Sequence, residues 1–298
     1  MPALGEWQYA IDEFVFGYGT RYPVYAFDVS YPEVTSQDVA TPREDGITMG
    51  VDRLGSMMIS IDLEVEAGTT SENEAVDLLH EIRRQWYGSD KRLTPQAYQV
   101  LSYRTGGAGE QRRVYGRGRV FTPASLENAH VGLIGCSAQF LCAQPYFYSD
   151  TEFRDITTLI PETAGGLVLP TTVPFTLSSS GGSGSRGFRV DGIEPAWLAV
   201  RINGPLINPV VEVSGEYAFQ LLTAIPAGDS VLVDPQPWSR TVRRQSDGAN
   251  LSGTLSGTSA WLADMRVTPG FHEIVLRGSD PTGTASAEVY WRTVRASL

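Results

Sequence analysis

The residues able to do chemistry in this chain of 298 residues are few and scattered. Three histidines, His80, His130 and His272, stand far apart, and none has a Cys or His at i+3 or i+4. That spacing is how a helix or tight turn delivers two ligands to one ion, so no metal site is expected. Gly182, Gly184 and Gly187 satisfy G-x-G-x-x-G. The motif holds a pyrophosphate only where a strand enters it and a helix leaves it, so that amide dipoles converge on the anion. Here the strand-like, proline-containing "FRVDGIEPAW" follows, and a serine-glycine loop is the expectation. No G-x-S-x-G elbow presents a serine nucleophile. Nothing among the 34 acids singles out a pair for glycoside hydrolysis. The sequence therefore predicts no catalytic residue, no cofactor and no enzyme.

Two binding features remain. Arg112, Arg113, Arg117 and Arg119 form the densest basic run, on a predicted hairpin within an acidic half-chain. Such a patch either faces water or meets the acids of a neighbouring copy across an interface. Trp197, Trp238, Trp261 and Trp291 lie in the second half. An exposed indole there could stack on a sugar ring, although aromatics in a sandwich usually pack inside. Trp238, in "DPQPWSR", is the candidate for the exposed one. Cys136 and Cys142 lie on one predicted strand, about 20 Å apart at ~3.3 Å per residue. That is beyond the roughly 7 Å a disulfide spans, so both are expected to be buried, reduced thiols.

The net charge is −11, unevenly spread. Residues 1–155 hold 13 bases against 22 acids, and residues 156–298 hold 10 against 12. An acidic surface gains nothing from counterion release on nucleic acid, which argues against specific binding and for letting DNA pass without sticking. The opening "MPALGEWQYAIDEF" lacks the basic and apolar regions of an export signal. No stretch approaches the roughly 18–20 apolar residues of a membrane span. A soluble protein made in a cytoplasm, with no membrane partner, is expected.

The elements that must position these residues are mainly β, in two domains, 1–155 and 156–298. "MMISIDLEV" alternates Met57, Ile59, Ile61, Leu63 and Val65 with polar residues, the period of a half-buried strand. Ser71 and Glu74 form a capping box, after which Ala75, Leu78, Leu79, Ile82 and Trp86 recur at helical spacing until Gly88. One helix, 72–87, packed on a sheet, is the expectation. A hairpin over 98–104 and 111–122 follows, then one long strand over 131–148 bent at Pro145. The pairs of glycines in "VFGYG" and "VYGRG" suit a bulge or a close backbone approach. Prolines, serines and glycines crowd residues 160–187. Beyond Phe188 short alternating runs arrive every 8–12 residues, the spacing of a β-sandwich.

In order along the chain, "FVFGYGTRYPVY", the helix ending in Trp86, "RVYGRGRV", "YFYSD", "RINGPLINPVVEV", "IPAGDSVLVD" and "VTPGFHEIVLRGSDPTG" resemble one family. It is the distal tail proteins of phages with long non-contractile tails. The resemblance implies an N-terminal, split-barrel-like domain that closes into a hexameric ring, and a C-terminal galectin-like β-sandwich. It also implies tail tube, hub or tip and tape measure proteins as partners. The protein would be assembled in the bacterial host cytoplasm and reside in the virion tail tip, where DNA passes through the ring. On this basis Arg112, Arg113, Arg117 and Arg119 would serve the ring interface, and the acids would line a DNA-repelling lumen. Alternatives are a carbohydrate-binding module using Trp238 and another minor tail protein of the tube or hub.

Overall fold

The computed structural model describes residues 1–43, 45–68, 71–107, 109–158, 185–280 and 282–295. The chain divides into two compact units: Met1–Asp150 with the chain from Arg295, and Thr151–Val294. Position 155, where the sequence reading divides the chain, falls inside a strand of the second unit, Phe153–Thr158. Both units are mainly β.

The first unit contains β1 (Gln8–Ile11), β2 (Phe14–Gly17), β3 (Val24–Ser30), β4 (Val34–Thr35), β5 (Val39–Ala40), β6 (Ile47–Thr48), β7 (Arg53–Leu54) and β8 (Met57–Glu66). Helices α1 (Glu72–Tyr87) and α2 (Ser89–Leu93) follow, then β9 (Gln99–Arg104), β10 (Arg112–Pro123), β11 (Leu133–Cys142) and β12 (Phe147–Ser149). The main sheet runs β2-β1-β9-β10-β11-β8-β3, with β12 added to β10. It curls on itself, since Tyr9 near one end stacks on Phe27 at the other, ring centroids 5.1 Å apart.

Local sequence explains each part. In β8 all five alternating apolar side chains are buried. Ser71 caps α1 by accepting the Glu74 amide, and Gly88 ends it in the left-handed region at φ 49°, a conformation that costs glycine least. The stripe of Ala75, Leu79, Ile82 and Trp86 faces the sheet. Trp86 meets Phe16, Phe121 and Phe140. Gly118 makes this fit possible, because a Cβ there would stand 2.3 Å from the Trp86 carbonyl oxygen. The ladder shifts register between Gly118 and Val120, so the glycine pair gives both a bulge and a close approach.

The expected long strand over 131–148 is interrupted. Residues Glu127–Val131 form a 3₁₀ turn, β11 stops at Cys142, and β12 resumes at Phe147. Pro145 has no amide to donate to a ladder. Beyond it the chain rejoins the same neighbour, pairing with Arg112 and Arg113 of β10.

The second unit contains β13 (Phe153–Thr158), β14 (Ser185–Val190), β15 (Ala196–Trp197), β16 (Ala199–Asn203), β17 (Leu206–Val213) and β18 (Tyr217–Gln220). Then come β19 (Ala224–Ile225), β20 (Ser230–Asp234), β21 (Thr241–Arg244), β22 (Arg266–Val267), β23 (Gly270–Ser279) and β24 (Ser286–Trp291). Two five-stranded sheets, β13-β24-β16-β20-β21 and β14-β23-β17-β18 with β19 on β17, make the sandwich. Val200, Ile202, Val231, Val233 and Val289 of one sheet and Val211, Val213, Phe219, Ile274 and Leu276 of the other are buried, as two facing sheets require. The Asn203-Gly204-Pro205 turn, with a cis peptide at Pro205, is not a hairpin: β16 and β17 belong to different sheets. Gly187 lies in β14. Gly182, Gly184 and most of the loose stretch 160–187 lie outside the described residues.

Candidate interaction surfaces

The four arginines of β10 share a strand but not a role. Arg113 is buried, and its Nε donates to Asp150 Oδ1 at 2.7 Å while its Nη2 reaches the same oxygen. Arg117 donates to the carbonyls of Ala97 (2.8 Å), Thr94 (2.6 Å) and Arg92 (3.3 Å). It thus satisfies acceptors left open at the end of α2. Arg112 is half-buried opposite Tyr103. Burial pushes the Tyr103 phenol up, and the Arg112 guanidinium opposes part of that rise. Arg119 alone of the four is exposed. The run therefore mainly braces its own unit, leaving Arg119 as its outward cation.

A second arginine group was missed by sequence reasoning. His80, Arg83, Arg84, Tyr87, Ser89 and Arg92 line a groove of about 630 Å³ on α1 and α2. Arg83, Arg84 and Arg92 are exposed and make no ion pair among the described residues. The Arg83 guanidinium lies 6.0 Å from the Tyr87 ring centroid. The signal was present in the sequence: His80, Arg83, Arg84 and Tyr87 recur at i, i+3, i+4 and i+7, one helical face. Like charges held together this way repel unless an anion separates them.

The chain between β3 and β8 is the other unusual surface of the first unit. β4 pairs with β7 and β5 with β6, each antiparallel, giving a two-stranded ribbon. Every described residue from Glu33 to Ser56 except Thr41 is exposed. Val34, Val39, Ile47, Met49, Val51 and Leu54 stand out in water at 46–75% exposure. A ribbon without a packed face has little stability of its own, and clustered exposed apolar groups mark interaction surfaces.

In the second unit the exposed tryptophan is Trp261, at 81%; Trp197 and Trp291 are buried, and Trp238 is half-buried. This corrects the choice of Trp238, whose neighbouring residues Pro235 and Gln236 are themselves buried. Trp261 borders a groove of about 480 Å³ with Leu255, Leu262, Ser256 and Ser259. An indole face beside hydroxyls suits a planar apolar or sugar-like ligand.

Cys136 and Cys142 are buried and unbridged, and burial pushes both thiols up to about 12. They are inert under ordinary conditions. Among the described residues no group of three His, Cys, Asp or Glu side chains is placed to hold a metal ion, and no helix is long and apolar enough to cross a membrane.

No protein-family model matches the chain, and no curated protein matches it. Solved structures do. The chain is similar to the Dit protein (gp 19.1) of phage SPP1, described as a paradigm of the hub adsorption apparatus in phages infecting Gram-positive bacteria. That similarity has a TM-score of 0.61 at 11% identity, over 96% of this chain and 98% of that one. It is also similar to chains of the phage P2 baseplate in its activated conformation, determined with Ca and with Sr. Those matches have TM-scores of 0.55 and 0.58 at 13% and 14% identity, each over 95% of this chain and 97% of the other. Identities this low speak for the fold alone.

Proposed function

We propose that this chain is a structural protein of a phage tail tip, a distal tail protein of a long, non-contractile tail. The observation that carries the reading is the full-length shared fold: both units together match hub and baseplate proteins over 95–96% of the chain. In this role the first unit closes into a hexameric ring joining the tail tube to the hub or tip proteins, with the tape measure protein as a further partner. The sandwich of the second unit points to the outside. Closed cyclic symmetry leaves no unpaired interface, which suits a β-rich protein with exposed strand edges. The excess of acids over bases in residues 1–155, 22 against 13, then recurs around the ring and repels DNA in transit. The work is mechanical rather than catalytic, and its setting is the virion.

The mass of the purified protein by multi-angle light scattering, followed by negative-stain imaging, tests this. Rings of six copies are the expected result. A different copy number would favour another tube or hub subunit, and a stable monomer would count against the ring.

A second reading is favoured by one observation, the exposed Trp261 beside the hydroxyls of Ser256 and Ser259. In it the sandwich binds host surface carbohydrate, the indole stacking on a sugar ring. Glycan-array screening of the whole protein tests it, and silence removes it.

A further inference from the structure

We propose that the ribbon between β3 and β8 of one copy seats in the arginine groove of α1 and α2 on the next. This rests on the ring reading above and names the two surfaces that would close the ring. The ribbon, residues 31–56, carries five acids against two arginines. Glu33, Asp38, Asp45 and Asp52 are exposed and make no ion pair among the described residues. The groove gathers Arg83, Arg84 and Arg92, likewise without acidic partners. The ribbon is net negative and the lining of the groove contains arginines and no acid, so the two surfaces are complementary in sign.

Apolar matching points the same way. The ribbon exposes Val39, Ile47, Met49 and Val51, while the groove presents the Tyr87 ring, with Leu93 at 78% exposure next to Arg92. About twelve extended residues from the end of β3 to the tip span up to ~40 Å, enough to cross onto a neighbour. Two different patches meeting head to tail form a heterologous contact, the kind that generates rings. Arginine suits this seat because its planar fork pairs with a carboxylate while its face lies against apolar groups.

A charge swap in the full-length protein tests the contact. The ribbon variant carries Glu33→Lys, Asp45→Lys and Asp52→Lys, and the groove variant carries Arg83→Glu, Arg84→Glu and Arg92→Glu. All six positions are exposed, so circular dichroism should match the wild type. Each variant alone is expected to be monomeric, with subunit affinity lowered at least about 100-fold. A mixture of the two is expected to restore the wild-type mass as rings of alternating variants, because the lysine ribbon of one fits the glutamate groove of the other while the unaltered ribbon and groove still match. All six substitutions in one chain should restore wild-type mass. If both variants assemble like the wild type, the contact is overturned while the ring reading stands. If the groove variant assembles normally but loses affinity for a fluorescein-labelled DNA duplex, the contact falls and the groove belongs to phosphate. A wild-type monomer up to about 1 mM would remove both readings.

Discussion

In the second unit Glu288 lies among Arg154 (2.9 Å), Arg201 (3.7 Å), Asn203 (3.4 Å) and the Tyr290 hydroxyl. Burial alone would push its carboxyl up, but the Tyr290 hydrogen bond and Arg154 outweigh it and hold the group below its ordinary value. In the first unit Arg83, Arg84 and Arg92 face a groove without acids, and a ribbon of apolar and acidic residues faces water. The sandwich largely satisfies its own charged groups, while the first unit leaves chemistry unfinished on its surface. In the ring proposed above, such unpaired groups would be matched by a neighbouring copy, at some loss of stability in the isolated chain.

The cores differ too. The first unit centres on an aromatic set around Trp86, with Phe16, Phe121 and Phe140 at 6.2–6.4 Å between centroids. The sandwich is filled chiefly by branched aliphatics on two sheets. The largest expected effect breaks the first of these alone: Trp86→Ala should destabilise its unit by about 3–5 kcal/mol. Urea unfolding followed by tryptophan fluorescence would then show an early transition for that unit and an unchanged one for the sandwich. A single early transition for the whole chain would mean that the units do not unfold independently.

Next in size is the ion pair of Arg113, where the side chains of Arg113 and Asp150 are 10% and 21% exposed. Asp150→Asn leaves a buried guanidinium uncompensated and should cost about 3 kcal/mol. Arg119→Ala should leave stability within about 0.5 kcal/mol of wild type. Comparable losses in the two variants, read from the same unfolding curves, would show that the four arginines of β10 are not divided as the structure places them.

Acid titration sharpens the contrast from the other side. Burial raises the Asp280 carboxyl, but hydrogen bonds from the Thr282 hydroxyl and the amides of Ala285, Thr282 and Thr284 together bring it down to about 2. A carboxyl depressed on folding stabilises the native state above its unfolded value, and that contribution fades as pH falls toward the folded value. The sandwich should therefore lose stability between about pH 4 and pH 2. Asp280→Asn should flatten the dependence, measured as the unfolding midpoint against pH. The smallest expected effect is Trp261→Ala, which changes stability by less than about 0.5 kcal/mol because the indole is already in water. Any glycan retention by the wild type should vanish in that variant, and persistence would move the sugar site elsewhere.

Much of the fold was written locally. The period of two in β8 and the stripe from Ala75 to Trp86 between Ser71 and Gly88 rest on near neighbours in sequence. So do the spaced strands after Phe188, and their positions could be read directly. The break in the strand over 131–148 was only half visible. Pro145 marked the place, but the choice between bending and stopping was made by β10, which offered β12 a second pairing site at Arg112 and Arg113. The ribbon over 31–56 gave no period at all, since Val34, Val39, Ile47, Met49, Val51 and Leu54 come singly between turns and stand exposed rather than on a buried face.

By itself the sequence determined the mainly β class, the two-part organisation, the helix with its caps, and the scarcity of catalytic motifs. Only the tertiary structure decided which charges and aromatics are available. Arg113 and Arg83 are equally basic in sequence; one lies buried against Asp150, the other in a groove beside Tyr87. Trp238 and Trp261 are equally aromatic; one is partly covered, the other stands 81% exposed. The reason is physical: backbone period follows from neighbours a few residues away, but exposure and pairing are set by chain segments distant in sequence that pack across the site.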